Sequence, residues 1–124
     1  MINRVNLMDK ITNKQIDSAT MNALRAFKDK VSVRIDFAGL ILFGSRARNT
    51  HRTDSDADVV VLLRGSPGKF FATKLAMDDL AYDVLLNTGI RIQPLPVWES
   101  EWSQPENYSN PWLLKNIANE GIRL

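Results

Sequence analysis

Phe37-Ala38-Gly39-Leu40-Ile41-Leu42-Phe43-Gly44-Ser45 and, after ten intervening residues, Asp56-Ala57-Asp58-Val59-Val60-Val61-Leu62-Leu63 decide how this chain reads. Each holds a short, almost wholly apolar run. The first stops at Gly44 and the second at Arg64-Gly65-Ser66-Pro67-Gly68. Runs of this length between turn formers read as strands buried on both faces, over residues 37–43 and 57–63.

Outward from these strands the pattern changes to helical spacing. Residues 17–32 carry Met21, Leu24, Phe27 or Lys28, and Val31 at helical intervals, with Asp17 or Ser18 placed to cap the start. Residues 70–87 predict a second helix whose broad apolar face takes in Phe71, Leu75, Leu80, Val84 and Leu85, ended by Gly89. Residues 90–98 alternate and predict a third strand. Pro94 and Pro96 cannot donate to a ladder, so this is an edge or broken strand. Asn110 as cap, Pro111 at the first helical position and Gly121 after Glu120 bound a helix over 111–120. Trp112, Leu113, Ile117, Ile122 and Leu124 are expected to pack it down. The order predicts an α/β (α+β) fold, a small mixed β-sheet flanked by helices, as one domain over residues 1–124.

Composition narrows the function classes. Of 124 residues, 44% are hydrophobic, enough for a core. Sixteen basic residues against fourteen acidic ones leave a net charge of +2, so charge does not predict direct nucleic-acid binding or a membrane surface. With no cysteine, disulfides, thiolate metal sites and cysteine catalysis are excluded. No leader-like apolar run follows Met1-Ile2-Asn3-Arg4-Val5-Asn6-Leu7, and the run 57–63 is too short to cross a bilayer. A soluble, cytoplasmic protein is expected.

The chemistry concentrates where the two strands meet their turns. Asp56 and Asp58 stand two residues apart, so on a strand both carboxylates point to one face. Like charges at the mouth of an apolar strand cost free energy unless something compensates, and a divalent cation with oxygen ligands is the usual compensation. An EF-hand starting at Asp54 fails, because its sixth and twelfth positions are Val59 and Gly65. Gly44-Ser45 follows a buried strand directly. Ser45 is placed to cap a short helix into Arg46-Ala47-Arg48, and free N–H groups at such a turn bind phosphate. Arg46, Arg48 and Arg52 supply positive charge nearby. The turn is not a P-loop, since no Gly-Lys-Ser/Thr follows. His51, the only histidine, reads as a solvent-exposed loop residue without a role. Trp98, Trp102 and Trp112 read as core.

Gly-Ser, ten residues, then Asp-x-Asp before an apolar strand resembles the motif of the DNA polymerase β-type nucleotidyltransferases. The string Gly-Ser-Arg-Ala-Arg … Ser-Asp-Ala-Asp-Val-Val-Val is similar to the stand-alone minimal nucleotidyltransferases. The likeness runs over about residues 20–98. It implies a polymerase β-like fold in which Gly44, Ser45, Arg46 and Arg48 bind a nucleoside triphosphate, most simply ATP. It implies that Asp56 and Asp58 are the catalytic residues and hold Mg²⁺, or Mn²⁺. A substrate hydroxyl attacks the α-phosphate and pyrophosphate leaves. It also implies an antitoxin role toward a HEPN-type partner protein, or failing that a homo-oligomer.

One feature departs from the family pattern. The third carboxylate on a later strand is missing: residues 90–98 contain no Asp or Glu, Gln93 lies where the acid is expected, and Glu99 and Glu101 come after the strand. The alternative expectation is therefore a catalytically weak or inactive nucleotidyltransferase-like binding module that masks a partner protein.

Overall fold

The computed structural model describes residues 16–124. Met1–Leu7, read above for a leader, lies outside the described residues. Helix α1 (Ser18–Arg34) precedes strand β1 (Phe37–Phe43), and a single-turn helix α2 (Ser45–Arg48) follows it. Strand β2 (Ala57–Leu63), helix α3 (Phe70–Thr88) and strand β3 (Ile92–Trp98) come next. A short helix α4 (Glu99–Ser103), a 3-10 turn (Pro105–Asn107), helix α5 (Pro111–Glu120) and a two-residue strand β4 (Ile122–Arg123) complete the order.

The four strands lie in the order β3-β2-β1-β4. β1 runs antiparallel to β2 and β4, whereas β2 and β3 are parallel. Parallel neighbours need a crossover connection, and α3 provides it. The sheet separates two apolar layers. Alternate residues Leu40, Leu42, Val59, Val61 and Ile92 pack against Leu24, Phe27 and Val31 of α1 and Met77, Leu80 and Val84 of α3. The opposite set, Ile41, Val60, Leu62 and Val97, packs under Leu114 and Ile117 of α5. This two-sided cover is why β1 and β2 read as unbroken apolar runs rather than alternating ones. Each fully buried Val or Leu of these strands contributes about 1.5–3 kcal/mol.

Local chemistry sets the element ends. The Asp17 carboxylate accepts the Thr20 N–H at 2.7 Å and caps α1. Asn110 caps α5 by accepting the Leu113 N–H at 3.2 Å. β3 is an edge strand, as its prolines require, and it begins at Ile92 rather than at residue 90.

Several expectations are corrected. Phe71 and Leu75 do not join the buried face of α3, which is formed by Met77, Leu80, Ala81 and Val84. Trp112 lies out in solvent, with the Lys115 ammonium 5.9 Å from its ring centroid. Ile122 does more than pack α5 down: it starts β4, which pairs with Leu42 of β1. Among the described residues, no helix is long and apolar enough to cross a membrane.

Candidate active site at the Gly44 turn and the β2 acid pair

The antiparallel register pairs Phe43 with Asp58, which brings the end of β1 and the start of β2 to the same edge of the sheet. Gly44 then turns the chain with φ +76, a conformation few side-chain-bearing residues adopt. Space imposes the same choice, because a Cβ on Gly44 would overlap Asp58 Oδ2. The turn and the acid pair are thus in direct contact. Gly44 occupies the cap position of α2 and makes no side-chain cap bond, so Ser45 is the first helical residue and not the cap expected for it. The N–H groups of Ala47 and Arg48 both donate to Gly44 O, at 3.1 Å each. Those of Ser45 and Arg46 have no hydrogen-bond partner among the described residues and remain open to an anion.

Asp56 is exposed and Asp58 half-buried. By strand alternation both share the face with Val60 and Leu62, the side covered by α5. Burial, and after it the Asp56 charge, push the Asp58 carboxyl above the ordinary carboxylate range, with Arg48 pulling the other way. Across the parallel ladder Gln93 is the register partner of Asp58, and its Nε2 donates to Asp56 Oδ2 at 3.2 Å. The amide therefore stands beside the pair, where a third acid would be expected. No group of three or more His, Cys, Asp or Glu side chains that could hold a metal occurs among the described residues.

Of the arginines, Arg48 lies beside the site. Half exposed, it pairs with Glu120 at 3.6 Å and lines a cavity of about 280 Å³ with Phe43, Gly44, Leu113, Asn116, Ile117 and Glu120. Arg46 is different and corrects the expectation that its side chain faces phosphate. It is 2% exposed. Its guanidinium donates to Thr20 Oγ1 at 2.7 Å and to the carbonyls of Ser55, Thr53 and Arg52 at 2.9, 3.1 and 3.4 Å. Four of its five N–H donors are thereby engaged. It ties the segment leading to Asp56 onto α1, so only its backbone N–H remains for a ligand. His51 is not a solvent-exposed residue either. Its ring is 10% exposed and its Nε2 lies 2.5 Å from Asp17 Oδ2, which ties the same loop to the cap of α1. Thr20, Asp17 and Gln93 lie 26, 34 and 37 positions from Arg46, His51 and Asp56 respectively, so no local pattern could have revealed these contacts.

The family model described as "Nucleotidyltransferase domain" matches residues 20–120. A Methanocaldococcus jannaschii protein provisionally named a protein adenylyltransferase is 28% identical over 89 residues, covering 72% of this chain and 56% of that protein. The chain thus spans about half the length of the curated relative it matches. Among solved structures, a provisionally named nucleotidyltransferase of Sulfolobus solfataricus superposes with a TM-score of 0.48 at 17% identity, covering 86% of each chain. A CdnC:HORMA-deltaN complex of E. coli MS115-1 gives a TM-score of 0.47 at 18% identity over 89% of this chain and 45% of that one.

Proposed function

The chain belongs to the nucleotidyltransferase domain family, and we propose that it transfers a nucleoside monophosphate from a nucleoside triphosphate, ATP in the first instance, to a hydroxyl on a partner protein. The contact between Gly44 and the Asp58 carboxylate carries this reading. It joins an anion-binding turn to a pair of carboxylates, and that pairing is what transfer between phosphates requires. Ser45, the open N–H groups of α2 and the Arg48 guanidinium receive the triphosphate. The Asp56 and Asp58 carboxylates are the residues that would hold a divalent cation, Mg²⁺ in the first instance, since oxygen-only donors suit it. When bound, Mg²⁺ supplies charge neutralisation for the triphosphate and the leaving pyrophosphate.

The acceptor oxygen forms its bond to the α-phosphorus while the bond to the bridging oxygen of pyrophosphate breaks. The hydroxyl proton goes to the carboxylate pair or to water, because Gln93 is an amide and takes none. The M. jannaschii relative's name supports a protein acceptor. Position 93 favours a second reading: with an amide beside Asp56 and no third acid among the described residues, the site would hold nucleotide and metal but turn over slowly, and the protein acts by masking its partner.

The test incubates the chain and the protein encoded beside it with α-labelled ATP and Mg²⁺. Label should appear on the neighbour and vanish with Asp56→Asn or Asp58→Asn. Absence of transfer from any of the four nucleotides, with the folded acid variants still neutralising the partner, would establish masking instead.

A further inference from the structure

The buried and exposed faces of α3 are equally well defined. Phe71, Leu75, Tyr82 and Leu86 are between 56 and 76% exposed. At 100° per residue they fall within one arc of about 60°, and from position 71 to position 86 they form a stripe about 22 Å long. Their exposed area is on the order of 450 Å². That is the size of the largest apolar patch on a typical monomer, which is often functional, and about half of one side of a standard protein interface. Beside the stripe stand Asp79 and Asp83, both exposed and neither in an ion pair among the described residues. On its other side Lys74 is already held by Asp78 at 2.6 Å.

We propose that this stripe is the docking surface for a separate protein that presents an amphipathic helix edged with basic residues. Charge decides between this occupant and a second copy of the chain. The spacing 71, 75, 82, 86 is symmetric about its midpoint, so two copies could align antiparallel. Each copy would, however, bring three carboxylates against one ammonium, and the unpaired Asp79 of both copies would meet near the axis, with Asp83 on the same flank. A basic-edged helix instead pairs with those acids while covering the stripe. The location also fits the site. Tyr82 belongs both to the stripe and to a cavity of about 220 Å³ that it lines with Asp78, Ala81, Arg91 and Gln93, the last donating to Asp56. A partner on α3 would lie beside this cavity, on the face of the sheet opposite the acid pair, with Gln93 at the strand edge between them. The relevance of docking to transfer rests on the reading proposed above; the docking itself does not.

The experiment uses the full chain and a synthetic helical peptide of eighteen residues with a Leu/Phe face and Lys edges, beside a twin with Glu edges. Fluorescence anisotropy measures binding and amide NMR shifts map it. The Lys-edged peptide should bind at least tenfold more tightly at low salt, with the contrast shrinking at high salt. Shifts should cluster on α3. Leu75→Glu with Leu86→Glu should abolish binding at unchanged circular dichroism, and Asp79→Lys with Asp83→Lys should reverse the preference between the twins. Equal affinity for both peptides, shifts that map elsewhere, or sedimentation showing a dimer that Leu75→Glu dissociates would each overturn the proposal. Asp58→Asn should leave peptide binding intact, so a failure of transfer with docking preserved counts against the catalytic reading alone.

Discussion

Replacing Asp58 by Asn should make the metal-free protein more stable, although the residue is half-buried and packed on Gly44. Asp56 and Asp58 are separated by two strand residues, about 6–7 Å. At an effective dielectric of about 20 their repulsion is roughly 2.5 kcal/mol, and at that of water about 0.6. Asp56 is exposed and Asp58 only half-buried, so solvent screening favours the lower part of that range, about 1 kcal/mol. Loss of the attraction to Arg48, itself shared with Glu120, removes a few tenths of a kcal/mol, and release from desolvation, the larger of the two causes that raise the Asp58 pKa, more than offsets that loss. A net gain of about 1 kcal/mol corresponds to about 3–5 °C in Tm for a chain of this size. The assay is thermal unfolding in EDTA at pH 7.5, repeated down the pH scale. Because the folded state raises the Asp58 pKa, the ionised carboxylate destabilises the fold above that raised value, and the penalty disappears as pH falls below the ordinary carboxylate range. The advantage of the Asn variant should fade over the same window. Mg²⁺ at ten times its dissociation constant should then stabilise the wild type by about 1.4 kcal/mol, leave the variant unchanged and reverse the order. A variant no more stable than wild type in EDTA would refute the electrostatic argument, and an equal Mg²⁺ response in both proteins would refute a metal at Asp58.

Gly44→Ala should cost about 1–3 kcal/mol by urea unfolding, since it meets both the positive φ and the Asp58 carboxylate, and nucleotide affinity should fall with it. Arg46→Ala should cost about 3 kcal/mol or more because three carbonyls and a hydroxyl lose their shared donor, and Arg46→Lys should not restore the urea midpoint, since an ammonium cannot span four acceptors. Gln93→Glu should tighten Mn²⁺ binding at least several-fold by calorimetry while lowering Tm in EDTA, as a third carboxylate joins the pair. Burial opposes ionisation of Asp17, but hydrogen bonds from Thr20 and His51 outweigh it and hold its pKa below the ordinary value. Its contribution to stability is therefore present above the ordinary carboxylate pKa and lost as pH falls through the lowered one, so Asp17→Asn should flatten the acid limb of a urea-midpoint titration.

Local sequence by itself determined the elements whose signals are local. An apolar run between turn formers can only bury both faces, so β1 and β2 have the predicted bounds. Asn110-Pro111 and Gly121 bounded α5, and two prolines put β3 at an edge, because a residue without an N–H cannot sit inside a ladder. The spacing from Gly44-Ser45 to Asp56-x-Asp58 likewise pointed to one end of the sheet. The tertiary structure decided which of several chemically equal residues face that end. Arg46 and Arg48 are two positions apart on one turn. One is consumed by Thr20 and the loop while the other lies beside Asp58. Phe71 and Leu75 lie half a turn around α3 from Leu80 and Val84, so the broad face drawn through all four is too broad, and only the second pair reaches the sheet. Gln93 and His51 find their partners across 37 and 34 residues. Periodicity tells which residues share a face of an element, but only packing tells what lies opposite that face. The cost of leaving a guanidinium unpaired or a phenyl ring in water is settled there.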